Sequence, residues 1–188
     1  MNQHPQSTHS LPIVGVMGSG RTQFESQATP LGRWLATIDV HLLTGGGCGV
    51  MLSVSRAFAE TEARKGSVIG VIPGQFDEGS KTYAASAGYP NRYVEIPIYT
   101  HLPYSGDQGK DQLSRNHINV LSSDVIVVLP GRSGTAAEAE LAVIYNKPVV
   151  AWLDNQSQIT NLHPQVPLVG DLEQVKEFVT RQVRKFNG

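Results

Sequence analysis

The chain has 188 residues, 40% of them hydrophobic and 16% charged, with 19 glycines, one cysteine and a formal net charge of -1. That balance is too apolar for a disordered chain, and its weak net charge gives no reason to expect nucleic acid or a membrane surface as partner. A single cysteine excludes an internal disulfide framework, and no apolar run approaches the roughly 20 residues needed to span a bilayer.

Residues 1–11 are polar and aperiodic and are expected to form a disordered tail ahead of one domain over residues 12–188. The opening MNQHPQSTHS has neither the basic nor the apolar region of a secretory signal, so the expected location is cytoplasmic. PIVGVMG (12–18) then reads as a strand, followed by a helix over 23–37. VHLLTGG (40–46) and a helix over 50–65 repeat the unit. SVIGVIPG (67–74) and RYVEIPI (92–98) are further strands, and a helix is expected over 111–121. DVIVVLPG (124–131), a helix over 133–145, KPVVAWL (147–153) and a last helix over 172–186 complete the series. Several of these runs are nearly continuous in Val, Ile and Leu, the mark of strands covered on both faces. Alternation of this kind predicts an α/β fold with a doubly wound, mostly parallel sheet and helices on both faces. YTHLPYSGDQGK (99–110) has the composition of a mobile loop placed to act as a lid, and DNQSQITNLHPQ (154–165) reads as a second surface loop.

Ligands of such sheets gather beyond the carboxyl ends of the strands. Three glycine-rich segments are expected there: GSGR (18–21), TGGGCGVM (44–51) and PGRSGT (130–135). Glycine lets backbone N–H groups approach an anion, and a following helix adds the partial positive charge of its N-terminus. Gly18 and Ser19, Gly45 to Gly47, and Gly131, Arg132, Ser133, Gly134 and Thr135 are therefore candidates for a phosphate-sized site. None of the segments is a Walker loop, and GVMGSG lacks the third glycine of the dinucleotide fingerprint, so neither ATP nor NAD has specific support.

Thr135 and Glu138 lie three apart and share a face near a helix N-terminus, where a hydroxyl could meet phosphate and a carboxylate could accept from hydroxyls or a pterin-like N–H edge. The plainer alternative makes Ser133 an N-cap and Glu138 a first-turn acid favoured by the helix dipole. In LSRNHINV (113–120) and the leucine after it, Leu113, His117, Val120 and Leu121 form an apolar stripe, leaving Arg115 and Asn119 on the opposite side. Arg115 is then either a solvated surface arginine or a bidentate partner for an anion. The six histidines show no ligand-like spacing, so no protein-held metal is expected, and Cys48 reads as a small residue fitting a turn.

TGGGCGVM, SRN…SSD and LPGRSGTAAEAELA together resemble the Lonely Guy and lysine-decarboxylase-like superfamily, whose pattern is PGGxGTxxE preceded by a helix bearing an arginine. The resemblance runs over about residues 12–150 and implies a Rossmann-like fold that forms homo-oligomers, dimers or tetramers, with the site at a subunit boundary. It also implies one of two functions. Lonely Guy enzymes are phosphoribohydrolases that cleave cytokinin riboside monophosphates or AMP, with an arginine and a glutamate matching Arg115 and Glu138. The other branch comprises molybdenum cofactor carriers, which hold the finished molybdopterin cofactor without chemistry and would exchange it with cofactor-synthesis proteins or molybdoenzymes. This sequence departs from the hydrolases at Asn116, where they carry lysine, and at Arg132, where they carry a second glycine. An added arginine suits a more highly charged anion, and the RN…V…SSD segment is closer to the carriers. The resemblance thus favours a carrier binding the cofactor through the glycine-rich loops, Arg115, Asn116, Arg132 and Glu138, with a phosphoribohydrolase as the alternative.

Overall fold

The computed structural model describes residues 11–186, so all but the last residue of the expected tail lies outside the described residues. At the centre of its sheet is β1 (Ile13–Met17), flanked in parallel by β2 (His41–Thr44) and β6 (Val125–Val128). The sheet continues in parallel through β3 (Val68–Asp77) to β5 (Ile96–Thr100) on one side, and through β7 (Val149–Trp152) to β8 (Leu168–Val169) on the other. Only β4 (Thr82–Ala85) is antiparallel, pairing with the far end of β3. The chain winds outward from β1 in one direction and then restarts at β6 in the other, which puts the topological switch point between these two strands.

Successive residues of each strand face opposite sides, and the two sides have separate cores. Val14, Val16, Leu42, Val125 and Val127 pack with Leu31 of α1 (Glu25–Leu35), Phe58 of α2 (Val50–Ala59) and Val175 and Val179 of α5 (Leu172–Arg184). Met17, Leu43, Ile126 and Val128 pack on the other side with Val120 of α3 (Asn116–Leu121) and Leu141 of α4 (Ser133–Ile144). The architecture is the expected Rossmann-like α/β fold with helices on both faces. Among the described residues no helix is long and apolar enough to cross a membrane.

The structure departs from the expected elements where local chemistry intervenes. β3 runs on to Asp77, whose Oδ1 accepts from Gly79 N at 2.8 Å and closes a turn into β4. Phe76 and Tyr83 face each other across that hairpin, with ring centroids 5.1 Å apart. The strand expected over 92–98 begins only at Ile96, after Glu95 has turned its carboxylate onto Val68 N and Arg64. Pro97 within it is tolerated because β5 is the sheet edge. The helix expected over 111–121 starts at Asn116, since Ser114 is held by a turn to Asp111 and a bridge to Tyr104.

Candidate functional site

The loops after β1 and β6 meet at the switch point. Ser19 N donates to Pro130 O at 3.0 Å, and Ser19 O accepts from Val50 N at 2.8 Å, so one buried residue joins the β1 loop to the start of α2 and to the β6 loop. Its hydroxyl oxygen accepts from Arg21 N and Thr22 N at 3.1 and 2.9 Å, turning the chain away from the sheet.

The N-cap of α4 is Arg132, in extended conformation and without a side-chain capping bond; Ser133 is already the first helical residue and caps nothing. The first-turn N–H groups of a helix have no intrahelical acceptor, so those of Ser133, Gly134 and Thr135 are available to a ligand. The N-cap of α2, Gly49, likewise supplies no side-chain cap. Gly131 lets the strand-to-helix turn close tightly: a Cβ there would lie 2.1 Å from Thr135 Oγ1.

Arg115 is buried at 6% exposure and does not face solvent. Its Nη1 donates to Gly45 O at 2.7 Å and to Val71 O, and Nη2 reaches the Tyr89 hydroxyl at 3.4 Å, with the guanidinium 5.3 Å from that ring's centroid. Its Nε has no protein acceptor. A Cβ on Gly45 would sit 2.8 Å from Nη1, so this glycine makes room for the arginine. The segment around α3 turns its polar side inward. Arg115, Asn116 and Asn119 are buried along with Val120, while Leu113 and Leu121 of the expected apolar stripe are about half exposed. His117 bridges outward instead, its Nδ1 2.6 Å from the Tyr145 hydroxyl and its Nε2 facing the carbonyls of Lys110 and Asp111.

Glu138 is buried on the second turn of α4, where Asn119 Nδ2 donates to its Oε1 at 2.8 Å. Burial pushes its carboxyl up to about 7, a rise opposed by the Asn119 hydrogen bond and the positive charge of Arg115. The Glu138 environment is therefore not that of an exposed first-turn acid.

These groups open onto a cleft of about 540 Å³ at the carboxyl edge of the sheet. The β1 loop contributes Gly18, Ser19, Gly20 and Arg21, and the β6–α4 turn contributes Arg132 to Thr135 together with Glu138. Gly45, Arg115 and Asn116 complete the part that the sequence pointed to. Gly46 and Gly47 do not line it. Their N–H groups are committed to Thr44 Oγ1 at 3.0 Å and to the Met51 sulfur at 3.5 Å, which corrects the expected three-glycine cradle to Gly45 alone. Gly131 also stands behind the wall, its N–H donated to Gln158 O at 3.3 Å. Met51 and Tyr89 belong to the cleft and were not anticipated; for Tyr89 the only signal was an aromatic inside the turn-rich GYPN. Ser105 and Gly106 also line it, from the loop expected as a lid. Among the described residues no group of three or more His, Cys, Asp and Glu side chains is placed to hold a metal ion.

The SLOG cluster4 family matches residues 11–179 of the chain. No curated protein matches it. Among solved structures, the molybdenum cofactor binding protein from the phototrophic bacterium Rippkaea orientalis is 31% identical, with a TM-score of 0.69, over 91% of this chain and 96% of its own. The Moco carrier protein from Chlamydomonas reinhardtii is 30% identical, with a TM-score of 0.66, over 93% and 99%. DNA processing protein A from Helicobacter pylori is 16% identical, with a TM-score of 0.65, over 92% and 81%; that likeness is one of fold alone.

Proposed function

This chain belongs to the SLOG cluster4 family, and from that membership and the chemistry of its cleft we propose that it binds and carries molybdenum cofactor without transforming it. The observation that carries the reading is charge. Arg21, Arg115, Arg132 and the N-terminus of α4, which has no side-chain cap, converge on one cleft, whose single carboxylate among the described lining residues is the partly neutralised Glu138. Such a cleft suits a ligand bearing a phosphate and an oxidised metal head. The first turn of α4 and the Thr135 hydroxyl receive an oxyanion, Arg132 and Arg115 balance its charge, and Asn116 and Glu138 orient a polar N–H edge. Ser105 and Gly106 cover the ligand against water.

A second reading, a phosphoribohydrolase acting on nucleoside 5'-monophosphates, draws on one observation: a carboxyl titrating near 7 in a cleft suits acid–base work. Against it, Arg115 Nη1 is engaged by the carbonyls of Gly45 and Val71 rather than left free to clamp a substrate. Measuring cofactor binding and AMP cleavage on one preparation separates the two.

The carrier is further proposed to be a cytoplasmic homo-oligomer, a dimer or tetramer. Ile96 and Ile98 pair with Ile69 and Val71 and so share the sheet face that carries α3 and α4, yet both are 40% exposed or more. Parallel strands are normally covered on both faces, and a second copy would cover this one. Proteins that make the cofactor or receive it are the expected exchange partners.

A further inference from the structure

We infer that residues 105–111 form a strap at the mouth of the cleft, latched by His117 and by the Lys110–Glu140 pair, and that ligand enters and leaves when the latch releases. The segment reads SGDQGKD and has no apolar side chain to anchor it in a core. Its backbone bonds turn inward: Gln108 N, Gly109 N and Asp111 N donate to the carbonyls of Ser105, Gly106 and Gln108 at 3.2, 3.0 and 3.1 Å. Its ends adjoin where Tyr104 N donates to Leu113 O at 3.3 Å and Tyr104 bridges Ser114. Among the described residues, no backbone bond joins residues 105–110 to any other part of the chain. A loop closed on itself with adjoining ends can move as a unit, and one without buried apolar contacts opens at low cost.

Ser105 and Gly106 line the cleft. A Cβ on Gly134 would meet Gly106 Cα at 3.5 Å, so the strap lies against the first turn of α4. Gly109 rests on both neighbouring helices, for a Cβ there would lie 2.7 Å from Asn116 Nδ2 and 2.8 Å from Ala137 Cβ.

What holds the strap down is a set of side-chain bonds. Lys110 Nζ donates to both carboxylate oxygens of Glu140 at 2.9 Å. His117 Nε2 faces Lys110 O at 3.2 Å and Asp111 O at 3.0 Å. Carbonyls only accept, so Nε2 carries the ring proton and Nδ1 accepts from the Tyr145 hydroxyl at 2.6 Å. Glu140 lies on α4 and Tyr145 is its C-cap, so both fastenings lead to the helix whose first turn the strap meets. Release breaks these bonds and two glycine contacts and exposes no core.

His117 is therefore a positioning residue that acts on the ligand through the strap. A latch that does not touch the ligand controls the rates of entry and exit together and leaves the affinity much less changed. That the traffic is molybdenum cofactor rests on the carrier reading, whereas the strap does not.

The test compares the wild type with His117→Phe, which loses the donor, His117→Gln, which restores one, and Lys110→Ala, an exposed change that leaves the fold alone. Hydrogen–deuterium exchange of the amides of residues 105–111 should quicken about fivefold in His117→Phe, less in Lys110→Ala, and return toward wild type in His117→Gln. Stopped-flow association and dissociation rates, read with isolated molybdenum cofactor and with AMP, should rise together in the same order. Unchanged exchange in His117→Phe overturns the latch, and faster exchange with unchanged ligand rates overturns the gate. Faster exchange and faster AMP rates without cofactor binding would uphold the strap and refute the carrier.

Discussion

Asn119 Nδ2 donates a 2.8 Å hydrogen bond to Glu138 Oε1, joining α3 to α4 beneath the cleft. Both residues are buried, and Arg115 is the charged neighbour that acts on the carboxyl. The Glu138 carboxyl titrates at about 7 in the folded chain against an ordinary value of 4.5. A group raised in this way contributes stability that is fully present below about pH 4.5 and is lost as pH rises through 7. The loss amounts to roughly 3 kcal/mol. Glu138→Gln removes the titration, so denaturant unfolding should show the variant gaining on the wild type by about 2 kcal/mol between pH 5 and pH 8. Parallel stability curves would contradict the burial argument. Affinity for an anionic ligand should also fall above pH 7 in the wild type and stay flatter in the variant.

Gly131 should tolerate no side chain. A Cβ there meets Thr135 Oγ1 at 2.1 Å and Thr135 Cβ at 2.6 Å, so Gly131→Ala pushes the first turn of α4 away from the cleft. The expected result is a stability loss of about 1–3 kcal/mol, with ligand affinity reduced more than stability alone explains. Gly20→Ala is the control. Gly20 also lines the cleft, but its nearest foreign atom would be Met51 Cε at 3.5 Å, and that variant should melt and bind like the wild type.

Arg115→Lys keeps the charge and loses the fork. A lysine ammonium cannot reproduce the planar array that meets Gly45 O, Val71 O and the Tyr89 hydroxyl together. Thermal or chemical unfolding should record a loss of about 2–4 kcal/mol, because two buried carbonyls lose their donor. If lysine is tolerated without loss, Arg115 does not fasten β2 to β3 as described.

Ile98→Asp should turn a homo-oligomer into a monomer while leaving the fold and the cleft intact, since Ile98 is 40% exposed within one chain. Light scattering coupled to size exclusion reads the outcome directly. Retention of the oligomer would move the interface off this face.

Much of the fold was readable because its signals are local. The run VIVVL ahead of Pro130 and Gly131 announces a buried strand and its end, and the structure places β6 and α4 there. The cleft was less readable where its contacts are distant in sequence. Arg115 reaches Gly45 across 70 positions and Val71 across 44, so its spacing could not separate a surface arginine from a buried one. The apolar stripe misled for a related reason. The segment leading into α3 turns Arg115, Asn116 and Asn119 toward the cleft, against the usual burial of apolar residues, and leaves Leu113 and Leu121 at the surface. Three successive glycines looked alike as N–H donors, but only their neighbours decide which is free. Thr44 and Met51 engage Gly46 and Gly47, and Gly45 is left at the wall.

The cleft is proposed to carry a cofactor and leave it unchanged. The direct measurement is equilibrium binding of isolated molybdenum cofactor beside an assay for adenine and ribose 5-phosphate release from AMP, on the same wild-type preparation. Tight cofactor binding, recovery of the ligand intact and no cleavage of AMP are expected. Release of adenine with weak cofactor binding would contradict it and assign Glu138 and Arg115 to glycosidic cleavage.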